Sequence, residues 1–151
     1  MKTININFNS YKGLSKNPHG IKNCPIYGDW RMLNHDNSFL QTNNLIHLLT
    51  DKNLKIINFE DIAYRSSNLP VNQTHEYCRC CGGRRYNQLK KYSIIYPPIL
   101  LKGKKYNNFN KGYRLLDGKH RMMRLSKMKK NKYFFFVLSY NDIKQYIEKI
   151  K

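Results

Sequence analysis

Tyr133–Leu138 (YFFFVL) is an unbroken run of six apolar residues, and it limits what this 151-residue chain can become. A strand with one wet face alternates apolar and polar residues, whereas a run without alternation suits a strand covered on both faces. The neighbouring sequence supplies the covers. Lys119–Lys129 places Met122, Leu125 and Met128 on one side of a helix, with Arg121, Arg124 and Lys127 on another. Ser139 or Asn141 caps a final helix with an amphipathic Ile143, Tyr146, Ile147, Ile150 pattern. Further strands are read at Leu54–Phe59, at Ile94–Leu101 and at Tyr113–Leu116. Pro97 and Pro98 fall early in the second of these, where a missing N–H is tolerated. This alternation predicts an α/β or α+β fold: a small mixed sheet flanked by helices.

Residues 1–54 read differently. They are polar, rich in Asn and punctuated by Gly and Pro, and they form an irregular N-terminal extension ahead of a 55–151 domain. Thr3–Phe8 alternates like a short strand, and Thr42 caps a brief helix through Leu45, Ile46, Leu48 and Leu49. Met1–Asn5 lacks the apolar core of a secretory signal. The longest apolar run is far shorter than the ~20 residues of a membrane span. The expectation is a cytoplasmic protein with no membrane partner.

The formal charge is +19, from 28 Lys and Arg against nine acids. It is concentrated, because Tyr77–Asn141 holds 17 bases and the single acid Asp117. Positive charge at this density attracts polyanions, chiefly nucleic acid, before any specific contact forms. Lys102, Lys104, Lys105 and Arg124 are the candidate nucleic-acid contacts, and Tyr106 and Phe109 are interleaved with that basic loop as candidate base-stacking rings. Abundant Asn, Ile, Tyr and Lys together also fit AT-rich coding, as in a phage or a small bacterial genome.

Within the basic region, Leu115–Leu116–Asp117–Gly118–Lys119–His120–Arg121 is a strand that stops at a glycine and gives way to a cationic helix. A helix start presents backbone N–H groups without internal partners, and its dipole favours negative charge. Gly118 permits a sharp turn and close approach, while Lys119, His120 and Arg121 add charge-assisted donors. Gly118, Lys119, His120 and Arg121 are therefore the candidate phosphate-binding residues, with Arg84 and Arg85 as a second source of cations. Asp117 and His120 are the candidate catalytic pair. Asp117 either caps the helix, orients His120 or Lys119, ligates magnesium, or acts as a base; His120 is a donor that titrates near neutral pH, or a packed core residue.

In order, Pro98–Leu101, Tyr113–Arg121 and Tyr133–Leu138 resemble the ParB N-terminal/sulfiredoxin superfamily: a strand led by proline, a strand ending in a glycine turn, a basic helix and an apolar strand. The match covers about residues 84–151 and, more loosely, 55–151. The resemblance implies a turn that holds nucleotide phosphates. Partition proteins of the superfamily bind a cytidine nucleotide, sulfiredoxin uses ATP, and a related free-serine kinase uses ADP. Carried across, Gly118, Lys119, His120 and Arg121 hold the phosphates. The catalytic cysteine of sulfiredoxin corresponds to Lys119, so sulfinic acid reduction is not expected. The Glu–Arg–Arg run of partition proteins is Lys119–His120–Arg121 here, so the base preference does not carry over.

The cysteines are Cys24, Cys78, Cys80 and Cys81. Three of them crowd into four positions, a poor geometry for paired disulfides and suited to reduced thiols. His75, Cys78, Cys80 and Cys81 invite zinc, but they lack the second, separated ligand pair that zinc sites draw on. The leading functional expectation is a nucleotide- or phosphate-binding domain acting on or near nucleic acid through a basic face, with an unidentified nucleotide and optional magnesium. The alternatives are a phosphoryl-transfer, nucleotide-hydrolysing or nuclease enzyme, and a non-enzymatic interaction protein. Metal-dependent cleavage by this chain requires Glu60, Asp61 or Glu76 to converge on the turn, since Asp117 alone is a sparse ligand set.

Overall fold

The computed structural model describes residues 31–33, 38–40, 42–63, 96–107 and 109–149, and its class is α+β. The strands are β1 (Arg31–Leu33), β2 (Ser38–Leu40), β3 (Leu54–Asn58), β4 (Ile62–Ala63), β5 (Ile99–Lys102), β6 (Tyr113–Asp117), β7 (Lys132–Leu138) and β8 (Ile147–Lys149). The α-helices are α1 (Lys119–Lys127) and α2 (Tyr140–Ile143). A mixed sheet runs in the order β3-β7-β5-β6-β4, and a small antiparallel sheet in the order β1-β2-β8. The expected strand at Thr3–Phe8, all four cysteines, His75, Glu76, Arg84 and Arg85 lie outside the described residues.

The apolar run behaves as its composition demands. In β7, Phe136 and Leu138 enter one core with Ile99, Leu101 and Leu116, whereas Tyr133, Phe135 and Val137 enter another with Leu100 and Leu115. Alternate residues thus feed opposite faces of a sheet covered twice. α1 closes one face with Met122 and Leu125. The other face is closed by Leu45 and Leu49, from and just after a 3-10 helix over Thr42–Leu48, together with Leu40 and Ile143. Residues 38–53 therefore contribute apolar side chains to the same core as β5, β6 and β7.

Three elements depart from the sequence reading. Of the strand expected over Ile94–Leu101, residues 94 and 95 lie outside the described residues, Tyr96–Pro98 are not strand, and β5 starts at Ile99, past the two prolines that have no N–H for a ladder. Pro98 still contributes its carbonyl, which accepts the Phe136 N–H at 3.0 Å. The long final helix is replaced by the four residues of α2, a 3-10 turn over Lys144–Tyr146, and β8. Ser139 does cap α2, in a reciprocal box with Asp142. Beyond Tyr146 the ladder to β2, with Leu40 opposite Ile147 and Ser38 opposite Lys149, takes the backbone that a helix needs. Thr42, expected as a cap, is the first residue of its 3-10 helix and is fully buried. Among the described residues no helix is long and apolar enough to cross a membrane.

Candidate functional site

The glycine turn forms where the sequence places it. Gly118 is the residue between β6 and α1, with φ 117° and ψ 28°, a backbone that L side chains rarely adopt. Its neighbour is the proline pair. A Cβ at Gly118 would stand 2.5 Å from Pro98 Cβ and 3.1 Å from Pro98 Cα. The close approach that demands glycine is thus made by the protein's own Pro98. Arg121, one turn into α1 and 5% exposed, donates from Nη1 to the Pro97 carbonyl at 3.3 Å. Gly118 and Arg121 together fasten the start of α1 to Pro97–Pro98.

Lys119 and His120 differ from Arg121. Both are half-buried, on the first turn of a helix that carries no acidic residue in that turn. The helix N-terminus is already the positive end of the peptide dipole, and Lys119 adds to it. An anion placed there relieves that repulsion. Of the phosphate candidates among the described residues, these two retain solvent access.

Asp117 is 4% exposed, and its Oδ2 accepts a hydrogen bond from Thr42 Oγ1 at 3.3 Å. A register irregularity aims it there. Ile99 pairs with Asp117 while the next residue, Leu100, pairs with Leu115, leaving Leu116 as an extra residue in β6. Such a bulge turns a strand residue toward a new face. Asp117 thereby shares the side of Ile99, the layer closed by the Thr42–Leu48 helix, while Met122 and Leu125 of α1 cover the other face. The N-cap position itself falls on Gly118, the residue after Asp117. Thr42 was missed as its partner: the two are 75 positions apart, and no local pattern links them.

The remaining candidates sit elsewhere. Lys102 pairs with Tyr113 at one end of β6, whereas Asp117 pairs with Ile99 at the other. Four residue steps of ~3.3 Å put the Lys102, Lys104 and Lys105 corner roughly 13 Å along the strand from Asp117. Arg124 lies one turn beyond Arg121 on α1, half-buried, with its Nε lacking a hydrogen-bond partner. Glu60 and Asp61 lead into β4, whose Ile62 pairs with Tyr113, so these acids stand at the far end of β6 from Gly118. Among the described residues no three His, Cys, Asp or Glu side chains group as metal ligands.

Tyr106, read from sequence as a base-stacking ring, is buried, and its ring stacks on Tyr140 at 5.6 Å between centroids and 11° between planes. Phe109 is half-buried in a loop organised by Asn107, whose Oδ1 accepts the N–H groups of Phe109 and Lys111, each at 3.0 Å. Compared with family models, curated proteins and solved structures, the chain has no match.

Proposed function

We propose that this chain is a nucleic-acid-binding domain of the ParB/sulfiredoxin-like kind, with the Gly118–Lys119–His120 turn as a phosphate-contacting element. One observation carries the reading. Asp117 is the only acid between Tyr77 and Asn141, and it is buried. The exposed charge of described residues 96–107 and 109–141 is therefore positive throughout. It comes chiefly from Lys102 at the end of β5, Lys104 and Lys105 just after it, and Lys127, Lys129, Lys130 and Lys132 around the end of α1, all exposed. A surface of that kind repels itself until a polyanion neutralises it, and it releases the polyanion's counterions on binding.

Binding is favoured over catalysis. As a base, Asp117 is poorly placed because it is buried, and Glu60 and Asp61 stand at the wrong end of β6 to help it. Arg121 serves the fold through Pro97, whereas Lys119 and His120, on the same first turn, keep part of their surface in solvent. The test is the affinity for a fluorescent oligonucleotide as a function of salt. Affinity that falls steeply between about 50 and 200 mM salt, by a decade or more, supports the reading. No measurable binding at the lower concentration removes it.

A further inference from the structure

We propose that Tyr140 is a stacking platform for an unpaired base, and that this domain therefore takes single-stranded nucleic acid at the corner where β5 and β7 end. The inference rests on the nucleic-acid reading above and names the form of nucleic acid involved. Tyr140 is a large ring left 43% exposed at the start of α2. The stack with Tyr106 covers one face of the ring and fixes its orientation. Tyr106 is held in turn: it is buried, and the backbone at Gly103 lies so close that a Cβ there would stand 2.7 Å from Tyr106 Cδ2. A ring immobilised on one face and open to solvent loses little freedom when a base stacks on the other.

Cations stand where a backbone would pass. Lys105 Nζ is 5.2 Å from the centroid of the Tyr106 ring and 5.9 Å from that of Tyr140. Lys102 and Lys104 are exposed on the same corner, and Lys144, whose N–H bonds the Tyr140 carbonyl one turn along, is exposed as well. Asp142 is the acid nearest in sequence, and its Oδ2 is engaged by the Ser139 N–H at 2.8 Å and Ser139 Oγ at 3.0 Å. An aromatic face beside several cations matches the base-plus-phosphate repeat of an unpaired strand. A duplex, with its bases already stacked, offers that face nothing.

The experiment compares wild type, Tyr140→Ala, Tyr140→Phe and Lys105→Ala by fluorescence anisotropy. The probes are a labelled oligothymidine, the matching oligouridine and a duplex of equal length. Tyr140→Ala is expected to weaken binding to a single strand by about ten-fold, the scale of one lost base–aromatic stack. It should leave duplex binding within about two-fold, and Tyr140→Phe should keep the wild-type preference. Lys105→Ala should weaken both and flatten the salt dependence. The DNA and RNA arms separate the two strand chemistries, and either one showing the Tyr140 effect supports the platform. Tyr140→Ala also gives up the stack on Tyr106, so a small fall in melting temperature is expected, and circular dichroism checks that the variants fold. If oligonucleotides bind but Tyr140→Ala changes single strand and duplex equally, or neither, the platform is wrong and the nucleic-acid reading survives. If nothing binds at low salt, both fall.

Discussion

Thr42 Oγ1 donates a hydrogen bond to Asp117 Oδ2 across 3.3 Å, tying a 3-10 helix early in the chain to the last residue of β6. Both side chains are buried, and the bulge at Leu116 is what brings the carboxylate to that side. A buried carboxylate that loses a donor keeps its desolvation cost, so Thr42→Val should cost about 1–3 kcal/mol, while Thr42→Ser should retain most of the stability. Urea unfolding checks this: a lower midpoint at unchanged slope is expected for the valine variant. Equal stability of Thr42→Val and wild type would show that this bond holds nothing.

Gly118 is required by the fold itself. Its φ of 117° penalises any Cβ, and Pro98 occupies the space that a Cβ would enter. The conformational penalty of about 1–2 kcal/mol and a crowding penalty of about 1–3 kcal/mol together place Gly118→Ala several kcal/mol below wild type. Gly112→Ala is the control, because a Cβ there meets nothing within 4 Å. A drop in melting temperature on the order of 10 °C is expected for the first, and little change for the second.

Lys119 separates fold from binding. A cation on the first turn of α1 opposes the helix dipole, so Lys119→Glu should stabilise the unliganded protein by about 0.3–1 kcal/mol. The same change should remove any stabilisation by inorganic phosphate or nucleotides, which in wild type grows with ligand concentration. Thermal shift measurements in the presence and absence of each ligand read both effects. Arg121→Met is the contrast: losing the bond to the Pro97 carbonyl lowers stability before any ligand is added. A Lys119→Glu protein stabilised by phosphate as strongly as wild type would leave the turn without an anion role.

Much of this layer arrangement was legible because local patterns carried it. YFFFVL could only be a strand covered on both faces, and the glycine after Asp117 marked the change from strand to helix. The polar, basic Lys102–Gly112 segment has a glycine near either end, a composition suited to a hairpin-like or looped return, and Gly103 N–H bonds the Gly112 carbonyl at 2.8 Å between the antiparallel β5 and β6. What was not legible depended on partners distant in sequence. The recruitment of Ile147–Lys149 by β2 ended the expected helix, although its apolar spacing was helical. The basic turn suggested a phosphate, yet Gly118 and Arg121 also meet Pro98 and Pro97, a contact between the start of α1 and the segment before β5 that no periodicity encodes. The stack of Tyr140 on Tyr106 joins residues 34 positions apart, and no local pattern links them.

Lys129 tests whether the positive surface has been kept at the expense of stability. It follows Met128 at the end of α1 with φ 59°, the left-handed position usually held by glycine. The Lys129 N–H bonds the Ser126 carbonyl at 3.0 Å and the Lys130 N–H bonds the Leu125 carbonyl at 3.1 Å, the paired closure of a Schellman turn. A left-handed lysine is strained by about 1–2 kcal/mol, which glycine relieves while gaining some unfolded-state entropy. Lys129→Gly should therefore raise stability by about 1 kcal/mol, and Lys129→Asn by less. Both remove one exposed cation, so both should weaken oligonucleotide binding and reduce the slope of log affinity against log salt by up to about 0.9. Stability and affinity moving in opposite directions would identify Lys129 as a residue held for its charge. A gain in stability with unchanged binding would confine the polyanion surface to the Lys102–Lys105 corner.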